Sequence, residues 1–168
     1  MSSFLPQANS AGLAGEKNPP PIPRARILLV DDDPVNQMVA LGLLRRHGWE
    51  AVAADNGKAA LQILASQTFN LILMDLQMPE MDGFQTATAI RLREAQSSSA
   101  PTPRVIPDAS RQRTDLRGAH IPIIALTTAT QAGVREKCLA AGMDDYLTKP
   151  INPRALYVTV EKHLGNPQ

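Results

Sequence analysis

No internal disulfide is open to this chain, because Cys138 is its single cysteine. The expected state is a buried free thiol in a reducing compartment, which points to the cytoplasm. Nor does any segment approach the roughly 20 consecutive apolar residues needed to cross a bilayer, so direct membrane contact is not expected. The N-terminus lacks the basic start and apolar run of a secretion signal. Neither sign of charge is in excess, since 17 basic residues against 16 acidic ones leave a formal +1. Nucleic-acid binders need a phosphate-neutralising basic surplus, so no nucleic-acid partner is expected. No internal repeat is visible. At 168 residues and 43% apolar content, the chain suffices for one domain with a real core and is too short for two of ordinary size.

Two stretches stand apart in composition. Residues 1 to 24 are rich in Ser, Ala, Gly, Asn and Pro, and Pro19, Pro20, Pro21 and Pro23 make their end an extended spacer, a flexible tail or linker. Residues 95 to 119 (AQSSSAPTPRVIPDASRQRTDLRGA) follow neither a helical nor a strand period. They are expected to form a disordered insertion within a domain running from 25 to 165. The remainder is mildly acidic.

That remainder alternates strand and helix. Arg26 to Val30 (RILLV) and Phe69 to Met74 (FNLILM) are short apolar runs that end abruptly in aspartate, and Ile121 to Leu126 (IPIIAL) ends in Thr127. Such runs suit parallel strands buried on both faces. Trp49 to Ala54 and Met143 to Thr148 are weaker strand candidates. Asp33-Pro34 and Asn152-Pro153 each have the form of a helix N-cap followed by proline at the first helical position. After the first, Val35, Met38, Val39, Gly42 and Leu43 recur at helical spacing until His47-Gly48. Further helices are expected over Gly57 to Gln67, Gly83 to Glu94 and Gln131 to Ala141. Five strands alternating with five helices imply a flavodoxin-like α/β fold, a doubly wound five-stranded parallel sheet with strand order 2-1-3-4-5.

In such a sheet ligands sit beyond the carboxyl ends of the strands. Strand 1 delivers Asp31 and Asp32 to that edge, strand 3 Asp75, strand 4 Thr127 and strand 5 Lys149. Three carboxylates in one crevice repel, and a hard divalent ion relieves the repulsion. Magnesium, with its oxygen shell of one or two carboxylates, waters and a phosphate oxygen, fits better than calcium. An aspartate at the centre is placed to attack a phosphoryl group, whose charge must be met by cations and hydrogen-bond donors such as Lys149 and the Thr127 hydroxyl. A cis Lys149-Pro150 peptide would aim the lysine inward.

At these residues the sequence resembles a response-regulator receiver domain of two-component systems. The matching segments are ILLVDDD at 27 to 33, LILMDLQMPEMDG at 71 to 83, PIIALT at 122 to 127 and DYLTKP at 145 to 150. The resemblance implies that Asp75 is the phosphoacceptor, taking phosphate from a phosphohistidine, and that Asp31, Asp32, Asp75 and the backbone carbonyl of Gln77 hold Mg2+. It further implies that Lys149 binds the phosphate, and that Thr127 and Tyr146 form the conformational switch. VDDDPVNQ and DLQMPEMDG are most similar to receivers of hybrid histidine kinases, which exchange phosphate with a histidine kinase or a histidine phosphotransfer domain. Docking is expected on the helix after Asp33, where Val35 and Met38 leave apolar atoms beside the crevice. Thr128 departs from the Ala or Gly usual after the switch threonine, and slow loss of phosphate is expected.

Bland readings compete with these. Asp31-Asp32-Asp33 is also a plausible solvated turn, with Asp33 a cap rather than a ligand. Met74, Met78 and Met81 suit packing, His47, His120 and His163 lack mutual ligand spacing, and Tyr146 suits an ordinary edge-strand aromatic. A pseudo-receiver would lack one of the acidic pair, the acceptor or the lysine, and none is lacking. An aspartate-nucleophile phosphatase would carry its nucleophile on strand 1, and a flavin module would need a Ser/Thr/Gly-rich phosphate loop there. The expected class is a signalling phosphoacceptor and not an enzyme. No DNA-binding extension follows Gln168, so no transcriptional output is expected within this chain.

Overall fold

The computed structural model describes residues 25–97, 120–128 and 133–165. The Pro-rich stretch of residues 1 to 24 and all but the first three residues of the 95 to 119 stretch lie outside the described residues.

Five strands, β1 (Arg26–Val30), β2 (Glu50–Ala54), β3 (Leu71–Asp75), β4 (Ile123–Thr127) and β5 (Asp145–Thr148), form one parallel sheet in the order β2-β1-β3-β4-β5. The helices between and after them are α1 (Pro34–His47), α2 (Gly57–Ser66), α3 (Gly83–Ser97), α4 (Val134–Ala140) and α5 (Pro153–Leu164). The expected fold and strand order are those observed.

Period-two alternation along buried strands splits the core into two layers. Leu28, Val30, Ile72, Met74, Ile123 and Ala125 face one layer, which α2, α3 and α4 complete through Ala60, Ala87 and Cys138. Ile27, Leu29, Leu71, Leu73, Ile124 and Leu126 face the other, closed by Ala40 and Leu44 of α1 and Leu156 and Val160 of α5. β1, β3 and β4 are central and almost wholly buried.

The expected helix starts hold. Asp33 is extended and its Oδ1 accepts from the Val35 and Asn36 amides, while Asn152 Oδ1 accepts from Ala155 N–H. Each such cap contributes about 1 kcal/mol. Gly48, at φ 98°, ends α1 in the left-handed conformation.

Several boundaries differ from expectation. β3 begins at Leu71, because Asn70 is occupied pairing with the Arg26 backbone through its amide and its side chain. β4 begins at Ile123, after Pro122, which has no N–H to give the ladder. α3 runs to Ser97, so its last turn takes in the first residues assigned to the insertion. α4 begins at Val134, after Gly133 at φ 91°, a left-handed residue that cannot continue a helix; residues 131 and 132 lie outside the described residues. As expected for Val35 and Met38, the α1 stripe Val35, Met38, Val39 points to solvent at 65%, 74% and 51% exposure, while Ala40 and Leu44 are buried.

Candidate functional site

The crevice at the carboxyl ends of the strands is built by short apolar runs that stop in polar residues. β1 leaves the sheet at Asp31, β3 ends in Asp75 and β4 in Thr127, and all three are buried, with Asp31 at 1% and Asp75 at 5% exposure. Asp32 stays exposed. Asp31, Asp32 and Asp75 each offer a carboxylate oxygen, and the three oxygens lie within 4.8 Å of one another. Lys149 follows β5 and precedes a cis bond to Pro150. Its N–H bonds to the Thr127 carbonyl at 2.7 Å. Its Nζ enters the crevice, 2.7 Å from Asp31 Oδ2 and 2.8 Å from Asp75 Oδ2.

Burial pushes the Asp75 carboxyl above its ordinary value, and the Asp31 charge adds to this, against hydrogen bonds from Lys149 and the Gln77 amide. For Lys149 burial opposes the charge, but the bonds to Asp31 and Asp75 overcome it and hold the ammonium above its ordinary value. Lys149 therefore remains a cation, and Asp75 is the carboxylate that burial disfavours.

The loop after β3 wraps Asp75. Gln77 N–H donates to Asp75 Oδ1 at 3.2 Å, and Gly83 N–H returns to the Leu76 carbonyl. A Cβ at Gly83 would collide with the Asp75 carbonyl oxygen, so only glycine lets α3 start this close to Asp75. Between them Glu80 takes φ 66° in a three-residue turn closed by Met81 N–H to the Pro79 carbonyl. At the mouth Thr128 Oγ1 donates to Gln77 Oε1 at 3.5 Å.

The structure thus brings together Asp31, Asp32, Asp75 and Lys149, with Gln77 beside them. Thr127 ends the strand next to Asp75, paired with Thr148 across the ladder. Tyr146 lies on the edge strand β5, half-exposed, in register with Ala125. Met74 and Met78 are core residues, and Asp33 caps α1. Sequence reasoning missed Gln37, whose side-chain amide donates to the Asp31 carbonyl at 2.6 Å and to Asp55 Oδ1 at 2.8 Å. Gln37 stands inside the quoted VDDDPVNQ segment, but nothing in the sequence pairs it with Asp55.

The donor set suits a hard divalent cation: all oxygen, mixed buried and exposed, with more negative charge than the one lysine balances.

A 2-1-3-4-5 sheet with an acidic trio and a lysine at its switch point defines a class, and residues 27–107 match the response regulator receiver domain model. The receiver domain of a sensor histidine kinase from Pseudomonas aeruginosa PAO1, solved with a magnesium ion coordinated in its active-site cleft, is 34% identical at a TM-score of 0.67, over 85% of this chain and 99% of that one. The chain belongs to the response regulator receiver domain family. Among curated relatives, the sensor histidine kinase GacS of Pseudomonas protegens is 39% identical over 140 residues, 83% of this chain and 13% of the relative. Probable histidine kinase 4 of Oryza sativa is 37% identical over 83% of this chain and 14% of its own length. This chain therefore spans about one seventh of the kinases it matches. A structure of the Saccharomyces cerevisiae phosphotransfer protein Ypd1 with the receiver domain of Ssk1 is matched at 31% identity and TM-score 0.67, over 83% of this chain and 88% of that one.

Proposed function

We propose that this chain is a phosphorelay receiver whose Asp75 takes a phosphoryl group from a phosphohistidine, and that it acts as a signalling module and not as an enzyme. The observation that carries the reading is the buried Asp75 carboxylate, met by Lys149 Nζ at 2.8 Å and ringed by Asp31 and Asp32 at adjacent strand ends. Asp31, Asp32, Asp75 and the Gln77 carbonyl would hold Mg2+, which supplies charge neutralisation for the incoming phosphate.

In the transfer an Asp75 oxygen forms a bond to phosphorus as the phosphorus–nitrogen bond of the donor breaks, and the electron pair leaves with the imidazole nitrogen. Lys149 pairs with the transferred oxygens in place of the Asp75 carboxylate it now holds. Thr127, at the neighbouring strand end, donates its hydroxyl to the same group and passes the change to Tyr146. The partner is a histidine kinase or histidine phosphotransfer domain, as in the Ypd1–Ssk1 pair, and the solvent-facing Val35, Met38 and Val39 of α1 beside the crevice form an apolar surface for it. No described helix is long and apolar enough to cross a membrane; the proposed location is cytoplasmic. Residues 25 to 165 form the receiver unit, with residues 1 to 24 as a tail or linker and the 95 to 119 stretch as an insertion.

The test is intact-mass measurement after incubation with a small phosphodonor. One added phosphoryl group is expected with magnesium, and none in excess chelator or in Asp75→Asn. Labelling that survives either change would overturn the reading.

A further inference from the structure

We infer that Gln37 is a positioning residue that sets the geometry of the acidic pair, and hence the affinity of the site for Mg2+; this rests on the receiver reading above. Neighbouring residues on an extended chain project to opposite sides. For Asp31 and Asp32 to bring carboxylate oxygens to one point with Asp75, the planar peptide between them must be turned to a particular orientation. The handle on that plane is the Asp31 carbonyl, and Gln37 Nε2 donates to it at 2.6 Å.

The second proton of the same amide goes to Asp55 Oδ1 at 2.8 Å, so both donors of the group are used. One neutral side chain therefore fastens three elements where they leave the sheet: β1 through Asp31, α1 through Gln37 itself, and β2 through Asp55. Gln37 is in turn fixed by its own N–H on the Asp33 carbonyl at 3.0 Å in the first turn of α1. The rest of Asp31 is pinned independently. Its N–H bonds to the Ala54 carbonyl, its Oδ1 accepts from Asp33 N–H and from Asn36 Nδ2, and its Oδ2 meets Lys149. What Gln37 adds is the direction in which the chain continues to Asp32. Neutrality also matters: a carboxylate here would face Asp55 and a carbonyl oxygen, whereas a lysine would compete with the cation.

Groups that orient metal ligands typically contribute about 10- to 100-fold to metal affinity. Gln37→Met keeps the length of the side chain and removes both donors. Gln37→Glu keeps the shape and replaces the donating amide by an acceptor. Mg2+ affinity of the whole 168-residue chain is read by titrating backbone amide shifts, with no phosphodonor present. About tenfold weaker binding is expected for Gln37→Met and at least as much for Gln37→Glu, with the melting temperature within a few degrees of the parent. Asp75 labelling should return to the parent rate at saturating Mg2+, a recovery that a general loss of folding would not give. In the Gln37→Met background, Asp55→Ala should change Mg2+ affinity by less than about twofold. Parent-like affinity in Gln37→Met, while the parent itself binds Mg2+, overturns the positioning role and leaves the receiver reading standing. Absence of Mg2+ binding by the parent overturns both.

Discussion

The two ends of one sheet handle charge in opposite ways. At the carboxyl ends three carboxylates share a crevice with one lysine, and burial disfavours the ionised form of Asp75. At the amino ends of β4 and β5, Arg91 is matched on every side. It donates to the Gly142 carbonyl at 2.7 Å, the Ile121 carbonyl at 2.9 Å, Glu94 at 2.8 Å and Asp144 at 2.9 Å. Both of its acids are held as well, since Glu94 Oε1 accepts the Ile121 amide and Asp144 Oδ2 the Ile123 amide. His120 closes on Asp144 Oδ1 at 2.6 Å. The cluster ties α3 to both β4 and the approach to β5. One pole stores unresolved charge for chemistry, while the other spends its charge on holding the fold.

That contrast is sharpest in a reciprocal pair of variants. Arg91→Ala removes the cation from a mostly buried ion cluster and takes one donor from each of two carboxylates and two carbonyls, so a loss of about 3 kcal/mol in unfolding free energy is expected. Asp75 labelling in the fraction that stays folded should change by less than about twofold. Asp75→Asn should do the reverse. Because burial raises the folded-state pKa of Asp75, its ionised form is penalised at neutral pH, and a neutral amide removes the penalty. Labelling disappears, and stability stays equal to the parent's or rises. Denaturant unfolding of both variants beside intact mass checks this. An Arg91→Ala protein as stable as its parent would break the division of labour between the poles.

The two poles were not equally legible in the sequence. The carboxyl pole could be read because each central strand is an apolar run cut off by one polar residue, which places Asp31, Asp75 and Thr127 at strand ends without knowledge of contacts. Lys149 followed from the same reading of strand ends, and Gln77 from the resemblance. At the amino pole Arg91 and Glu94 share helical i,i+3 spacing, but Asp144 is 53 residues from Arg91, and no local pattern announces that pairing. Gln37 was missed for the same reason, its partner Asp55 being reached only through the fold. The α1 stripe was legible in another way. Val35, Met38 and Val39 recur at helical spacing as a core face would, yet the small Ala40 with Leu44 packs on the sheet. Periodicity shows that a face is apolar and leaves open what covers it.

A finer contrast lies within the carboxyl pole, at the mouth of the crevice. Gln77 anchors Asp75 through its amide and reaches Thr128 with its side chain. On the proposed reading Gln77 would orient a water toward the phosphoryl group, and Thr128 would add bulk to the approach. Gln77→Ala should lengthen the phosphoryl half-life and Thr128→Ala shorten it, each by about fivefold, equivalent to about 1 kcal/mol of barrier. Decay of the added phosphate mass with time measures both. Equal half-lives in all three proteins would remove water positioning and steric access as the controls.

The smallest effect expected lies at the first residue of β5, beside the amino-pole cluster, where Asp145 pairs with His163 Nε2 and Lys162 Nζ, each at 3.1 Å. Burial raises the Asp145 carboxyl, but hydrogen bonds from His163, Lys162 and the Tyr146 amide outweigh it and hold the carboxyl below its ordinary value of 3.8. A depressed folded-state pKa gives stability that is fully present above the unfolded value and is lost as pH falls through the folded one. The pair is part-exposed and screened, so about 0.5 kcal/mol is the scale expected at neutral pH. Asp145→Asn should therefore lower the urea midpoint slightly at neutral pH, and the gap to the parent should narrow toward the lowest pH at which the chain stays folded. Arg91→Ala is the counterexample in the same titration, since it also forfeits bonds to the uncharged carbonyls of Gly142 and Ile121, which acid does not touch. A gap for Asp145→Asn that persists undiminished into acid would mean that this carboxylate acts through shape or packing rather than through its charge.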